Sequence, residues 1–185
     1  LGHVTLFFTT KLKHLIKLLI STVALFLINF YTLSFTGNNG STTSMSSFQG
    51  KKVMLVNIAS GSMYCSQLAQ LQQLQQQYAD SIVVIVFPSN SFGNENKSDQ
   101  AIKDLCENTY HSTFVIAAKS DVNGAGINSV YAWLAKKETN GQMNAIIDND
   151  FEKFIIGKDG LVAGAFSSAV SPLDSSIIQV INTDY

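Results

Sequence analysis

Hydrophobic positions along the chain fall first into one long run and then into short, regularly spaced ones. The long run is residues 15–35, LIKLLISTVALFLINFYTLSF, interrupted by Lys17 and Asn29 and preceded by Lys11, Lys13 and His14. A basic flank followed by an apolar core is the layout of a secretory signal peptide and also of an uncleaved membrane anchor. A run near the roughly 20 residues that span a bilayer fits either. Ser34 and Thr36 offer a weak small-x-small cleavage step. The basic flank favours a cytoplasmic N-terminal side, so the remainder is expected to be exported, or membrane-anchored with its domain extracytoplasmic. The polar stretch GNNGSTTSMSS after it reads as a flexible linker and disfavours a buried domain helix before it. The expected division is a hydrophobic N-terminal helix within residues 1–36 (signal peptide or anchor), a linker over 37–49, and a folded domain over 50–185.

Within the domain the pattern alternates between strand and helix periods. KVMLVNIA at residues 52–59 is a short apolar run suited to a strand buried on both faces. Residues 65–78 place Leu68, Leu71, Leu74 and Tyr78 on one helix stripe, with a Gln-rich face expected to be solvated. SIVVIVF at residues 81–87, stopped by Pro88, is a second buried strand, and strand, helix, strand in this order predicts a parallel crossover. Further helices are expected over 99–108 and 127–137, with an apolar piece at 114–118 between them. Residues 151–156 and 161–166 flank GKDG as a hairpin, because Asp-Gly tolerates the positive φ of a tight reversal. Ser171 is expected to cap a last helix, with Pro172 at its first position and Asp174 in its first turn. A crossover unit, an antiparallel hairpin and a terminal helix together predict an α/β, thioredoxin-like domain: a central mixed β-sheet flanked by helices.

The composition, 46% hydrophobic and 14% charged, is apolar for a globular chain, and the N-terminal run accounts for the bias. A net charge of -1 without a basic face argues against nucleic acid as a partner. Two cysteines and three histidines, of which His3 and His14 precede the domain and only His111 lies within it, supply no metal-ligand set. No phosphate loop is present, since GAG in NGAGIN lacks the length and the lysine of one. No cofactor is implied. Trp133 sits among Val130, Tyr131 and Leu134 and reads as packing.

Several stretches, taken in order, resemble the glutathione peroxidase family. GKKVMLVNIAS resembles its opening strand, FPSNSFG its FPCNQFG loop, and DVNG at residues 121–124 matches outright. DNDFEKFIIGKDG resembles the segment in which tryptophan and asparagine precede FEKFLI and a hairpin, and VSPLD resembles the start of its terminal helix. The resemblance covers residue 50 to the C-terminus and implies thiol-dependent reduction of hydroperoxides, with a hydroperoxide and an external thiol reductant as partners. The family holds a cysteine or selenocysteine near glutamine, tryptophan and asparagine. Those positions fall here on Ser62, Ser91, Asn149 and Asp150, and the loop's own cysteine falls on Ser89. A serine hydroxyl is scarcely ionised at neutral pH and has no sulfenic acid stage, so Ser62 cannot run that cycle. A carboxylate at Asp150 disfavours rather than favours a neighbouring anion. Catalysis by Ser62 as a hydrolytic nucleophile would need a base that the single domain histidine is poorly placed to provide.

Two thiols remain. Cys65 lies three residues after Ser62 near a helix start, the place of the second cysteine in a C-x-x-C motif, where the helix N-terminus favours a thiolate. Cys106, in IKDLC, falls where thiol-dependent members of the family carry a resolving cysteine. The pair can be a relocated redox couple, two inert buried side chains, or a structural disulfide. Two functional readings result: an oxidoreductase whose chemistry has shifted to Cys65, or a pseudoenzyme that binds a partner on a peroxidase scaffold.

Overall fold

The structure, a computed structural model, describes residues 28–184. A hairpin of β1 (Ser34–Thr36) and β2 (Thr42–Ser44) stands beside a central five-stranded mixed sheet in the order β5 (Val115–Ile116), β4 (Ile82–Pro88), β3 (Lys52–Ile58), β6 (Lys153–Ile156), β7 (Val162–Phe166). Strands β3 (Lys52–Ile58) and β4 (Ile82–Pro88) run parallel and in register from Lys52 opposite Ile82 to Ile58 opposite Pro88. Helix α1 (Gln67–Gln77) connects them. Strand β3 is buried along its whole length because both faces are covered. The pleat sends Val53 and Leu55 into one hydrophobic cluster with Phe30, Tyr131 and Trp133. Met54, Val56 and Ile58 enter another with Leu68, Leu71, Leu74 and Ile177. On the other side, β6 (Lys153–Ile156) and β7 (Val162–Phe166) form the expected antiparallel hairpin. Gly160 closes its turn at φ +81, with the Tyr31 ring too close to admit a side chain easily.

Several boundaries differ from expectation. The second helix divides into α2 (Asp99–Asp104) and a π-helical turn, Leu105–Thr109. After the two-residue β5 (Val115–Ile116), the third helix becomes α3 (Ser129–Leu134) and α4 (Lys137–Asn140). Asn128 caps α3, its Oδ1 accepting from the amides of Val130 and Tyr131. The last helix, α5 (Ser175–Asn182), is capped by Asp174 rather than Ser171, because Asp174 Oδ1 reaches the Ser176 amide at 2.8 Å. Pro172 lies before the helix, in the turn where Leu173 donates to Ser171 Oγ. The glutamines of α1 are only partly solvated. Gln72 is buried with Oε1 accepting from the Thr113 amide at 2.7 Å, and Gln75 Oε1 accepts from the Val84 amide at 2.7 Å.

The largest correction concerns the N-terminal part. Residues 37–49 are not a flexible linker, and the end of the apolar run is not separate from the domain. Strands β1 (Ser34–Thr36) and β2 (Thr42–Ser44) pair as a hairpin, flanked by 3-10 turns at Phe30–Thr32 and Met45–Phe48. Phe30 and Met45 are fully buried, and Tyr31, Leu33 and Phe35 nearly so. Polar residues reverse the hairpin rather than detach it, with Gly40 at φ +80. Trp133 Nε1 donates to the Ile28 carbonyl at 2.7 Å, fastening the entry of the chain to α3. Residues 1–27, which carry most of the expected signal or anchor helix, lie outside the described residues. Among those described, no helix is long and apolar enough to cross a membrane.

Side chains and loops finish the sheet. Asn38 donates its amide to the Ile116 carbonyl, and Ala118 donates to the Thr36 carbonyl, so the N-terminal hairpin covers β5. At β7, Gln142 acts as one residue of an absent strand: its Oε1 accepts from the Val162 amide at 2.6 Å and its Nε2 donates to the Val162 carbonyl at 3.1 Å. Lys52, buried at the start of β3, donates from Nζ to the Val180, Ile181 and Thr183 carbonyls at the end of α5.

Candidate active site

The chain leaves β3 at its C-terminal end in a turn carrying Ser60, Ser62 and Cys65, and it enters β6 through Asp150 and Phe151 at the same end of the sheet. Asn57 ties the two segments together. Its Nδ2 donates to the Asn149 carbonyl at 2.7 Å, and its own carbonyl accepts from the Phe151 amide at 2.6 Å. Phe151 takes φ +63, a left-handed conformation rare for a residue with a side chain. This reversal aims the Asp150 carboxyl at the Ser62 turn.

Asp150 is fully buried, with Oδ2 accepting from Asn94 Nδ2 at 2.7 Å, while Oδ1 has no partner at hydrogen-bonding distance. Burial pushes its pKa above the ordinary carboxyl value. The Asn94 amide and the nearby Ser62 hydroxyl work against this, and the Glu95 charge adds to it. Ser62 Oγ accepts from the Tyr64 amide at 3.3 Å, so the hydroxyl is engaged in its own turn. Ser62 and Asp150 thus lie at the same end of the sheet, near enough for the hydroxyl to act on the carboxyl. The other two expected positions take no part. Ser91 Oγ accepts from Ser89 Oγ at 3.0 Å and from the Val122 amide at 3.1 Å. Asn149 is exposed and turns its Oδ1 back to the Asp150 amide.

Three site residues were not evident from the sequence: Asn94, Glu95 and, beside the thiols, Tyr110. Glu95 is almost completely buried and organises the turn: its carboxylate accepts from the Ser60 amide at 2.7 Å, the Ser60 hydroxyl at 2.9 Å and the Lys97 amide at 3.0 Å. Asn94 holds Asp150 through its side chain and Gly61 through its carbonyl. The one sequence signal for Glu95 was an acidic residue in the polar loop just after a buried strand.

The thiols lie beside this turn. Cys65 is half-buried and donates its amide to the Ser62 carbonyl at 3.1 Å, two residues before α1. Its Sγ stands 3.8 Å from the Tyr110 hydroxyl. Cys106 is completely buried on the π turn, and burial, followed by the charges of Cys65, Glu95 and Glu107, pushes its thiol up to about 12. Tyr110 is raised too, first by burial, then by its bond to Cys65 and by the two sulfurs. Cys65, Tyr110 and Cys106 therefore form one cluster. Both thiols are free in this structure. His111 comes next at φ +51 and is exposed. No metal-holding group of His, Cys, Asp and Glu exists among the described residues.

Comparison with known proteins gives the same picture. The profile of the family described as Glutathione peroxidase matches residues 30–135, beginning at the first buried phenylalanine of the N-terminal hairpin. A glutathione peroxidase-like peroxiredoxin, GPX5, of Chlamydomonas reinhardtii is 38% identical over 157 residues, covering 83% of this chain and 96% of its own. The crystal structure of Trgpx in apo form superposes with a TM-score of 0.63 at 29% identity, over 85% of this chain and 97% of that one. A thiol:disulfide interchange protein of the thioredoxin family from Chlorobium tepidum, at 18% identity and a TM-score of 0.55 over 81% of this chain and 93% of that one, shares the fold. With its thioredoxin-like sheet and this continuous match across the domain, the chain belongs to the glutathione peroxidase family.

Proposed function

We propose that this protein reduces hydroperoxides at the expense of external thiols, with Cys65 in place of the lost nucleophile at position 62. The observation that carries this reading is the half-buried Cys65 thiol, 3.8 Å from the Tyr110 hydroxyl and within electrostatic reach of the buried Cys106. The Cys65 thiolate attacks the terminal peroxide oxygen. The O–O bond breaks, Cys65 becomes a sulfenic acid, and the departing alkoxide takes a proton to leave as an alcohol. The Cys106 sulfur then displaces the hydroxyl, which leaves as water with the Cys106 proton, and a Cys65–Cys106 disulfide forms. Two external thiols reduce that disulfide and are themselves oxidised to one. Cys106 stays protonated at neutral pH, so it attacks the sulfenic sulfur only as its proton passes to the departing hydroxyl.

The test is hydrogen peroxide and lipid hydroperoxide consumption by the full-length chain with dithiothreitol, glutathione or thioredoxin as reductant. Cys65→Ser is expected to reduce turnover to the uncatalysed rate. A variant as active as the parent would remove Cys65 from the chemistry. Absence of turnover in both proteins supports the second reading, a binding protein on a peroxidase scaffold. That reading is favoured by Ser62 and Ser91, whose hydroxyls are engaged in local hydrogen bonds.

We also propose that the basic and apolar segment before Ile28 directs export or anchors the domain outside the cytoplasm. Removal of residues 1–36 would take Phe30, Leu33 and Phe35 out of the core, so processing is expected at or before Ile28. N-terminal sequencing of the protein from a membrane and a secreted fraction checks this, and a mature start at Gly37 would contradict it.

A further inference from the structure

We propose that the Tyr110 hydroxyl is the hydrogen-bond donor that holds Cys65 as a thiolate, which makes Tyr110 a positioning residue for the thiol chemistry. The inference rests on the reading that Cys65 is the reactive sulfur. In the thiol form either atom of the 3.8 Å contact can donate. Once Cys65 ionises, only the phenol has a proton to give, and the bond becomes charge-assisted, so it favours the anion over the thiol.

The surroundings give this donor its weight. The carboxylates of Glu95 and Glu107 bear on the neighbouring Cys106, Glu107 being itself paired with Lys103 at 3.9 Å. Tyr110 Oη is the one side-chain donor that the structure places on its sulfur among the described residues. The phenol keeps its proton through the neutral range, since burial and the adjacent sulfurs raise its pKa.

The backbone is shaped to put the ring there. Leu105–Thr109 is a π turn, which inserts a residue relative to an α-helix and rotates the chain beyond it, and such turns gather at functional sites. Tyr110 caps it, donating its amide to the Leu105 carbonyl at 3.3 Å. His111 then reverses the chain at φ +51, so that the Ser112 amide reaches the Cys106 carbonyl at 3.0 Å. The same local winding that buries Cys106 thus delivers the Tyr110 hydroxyl to Cys65.

The test measures carbamidomethylation of Cys65 by iodoacetamide against pH in the full-length chain and in Tyr110→Phe, with the Cys65 peptide quantified by mass spectrometry. The midpoint is expected to rise by about one pH unit in the variant, the size of a charge-assisted bond removed. A folded Tyr110→Phe protein with an unchanged midpoint would overturn the assignment, because a purely structural tyrosine lowers the melting temperature without moving that midpoint. Should the variant not fold, the ring 13Cζ signal of Tyr110 in the labelled parent is expected to titrate together with Cys65, and a signal flat through the Cys65 midpoint would likewise overturn it. Peroxide turnover surviving in Cys65→Ser removes the proposed reaction but leaves this midpoint shift standing, so the two failures are separable.

Discussion

A chain shortened to begin at Gly50 is expected to be unfolded in buffer. Phe30, Leu33, Phe35 and Met45 are all buried in the cluster that covers one face of the sheet. At about 2 kcal/mol for each large apolar side chain removed from the core, their loss comes to about 8 kcal/mol, within the range of a whole domain's stability. The damage extends to the rest of the domain. Phe87 loses the Phe35 ring that packs edge-on at 5.3 Å. The Gly157 and Lys158 carbonyls lose the Tyr31 hydroxyl. The backbone of β5 and of the segment after it loses its cover at Ile116 and Ala118. Circular dichroism on thermal melting checks this, against a chain beginning at Ile28. Equal melting midpoints for the two would show that the N-terminal hairpin is an accessory and not part of the core.

Glu152→Gln is expected to abolish most of the protein's loss of stability between acid and weakly alkaline pH. Glu152 is buried, its Oε2 has no hydrogen-bond partner, and burial, followed by the Asp148 carboxylate, pushes its pKa up to about 7 from an ordinary 4.5. Lys153 beside it favours the charged form without prevailing. With the folded value above the unfolded one, the folded state binds the extra proton. The contribution is therefore complete below pH 4.5 and is lost as pH rises through 7. Its ceiling is about 3 kcal/mol, and partial hydration of the carboxyl reduces this to about 2 kcal/mol. Glutamine keeps the shape and cannot ionise. Urea midpoints at pH 5 and pH 8 are expected to fall for the parent and stay nearly level for Glu152→Gln. Parallel profiles would mean that Glu152 is charged in the fold throughout.

The legible part of the fold was the part governed by period. The unbroken apolar runs of β3 and β4, the Leu68, Leu71, Leu74 stripe of α1 and the GKDG reversal each derive from a local rule, and each stands where expected. The N-terminal boundary was not legible, because Phe30 to Phe35 continue an upstream apolar run without a break in composition. The turn at Gly40 likewise has the residues of a linker. At the start of α5 the sequence pointed to Ser171 as the cap with Asp174 in the first turn, and the folded geometry gives the cap to Asp174. In the site, Ser62 and Asp150 were found through motifs. Asn94, Glu95 and Tyr110 were not, since their bonds to Asp150, Ser60 and Cys65 span 56, 35 and 45 residues of loop-rich chain.

A β-sheet is an open-ended object, and each outermost strand is a template on which another polypeptide can be laid down. Here the template is occupied at both ends by the chain itself. Residues 36–38 lie along one rim, and the single amide of Gln142 imitates an incoming residue at Val162 on the other, matching donor to acceptor and acceptor to donor. A polypeptide that is 46% hydrophobic, meeting copies of itself, thus finds the first rung of the ladder already taken on either side.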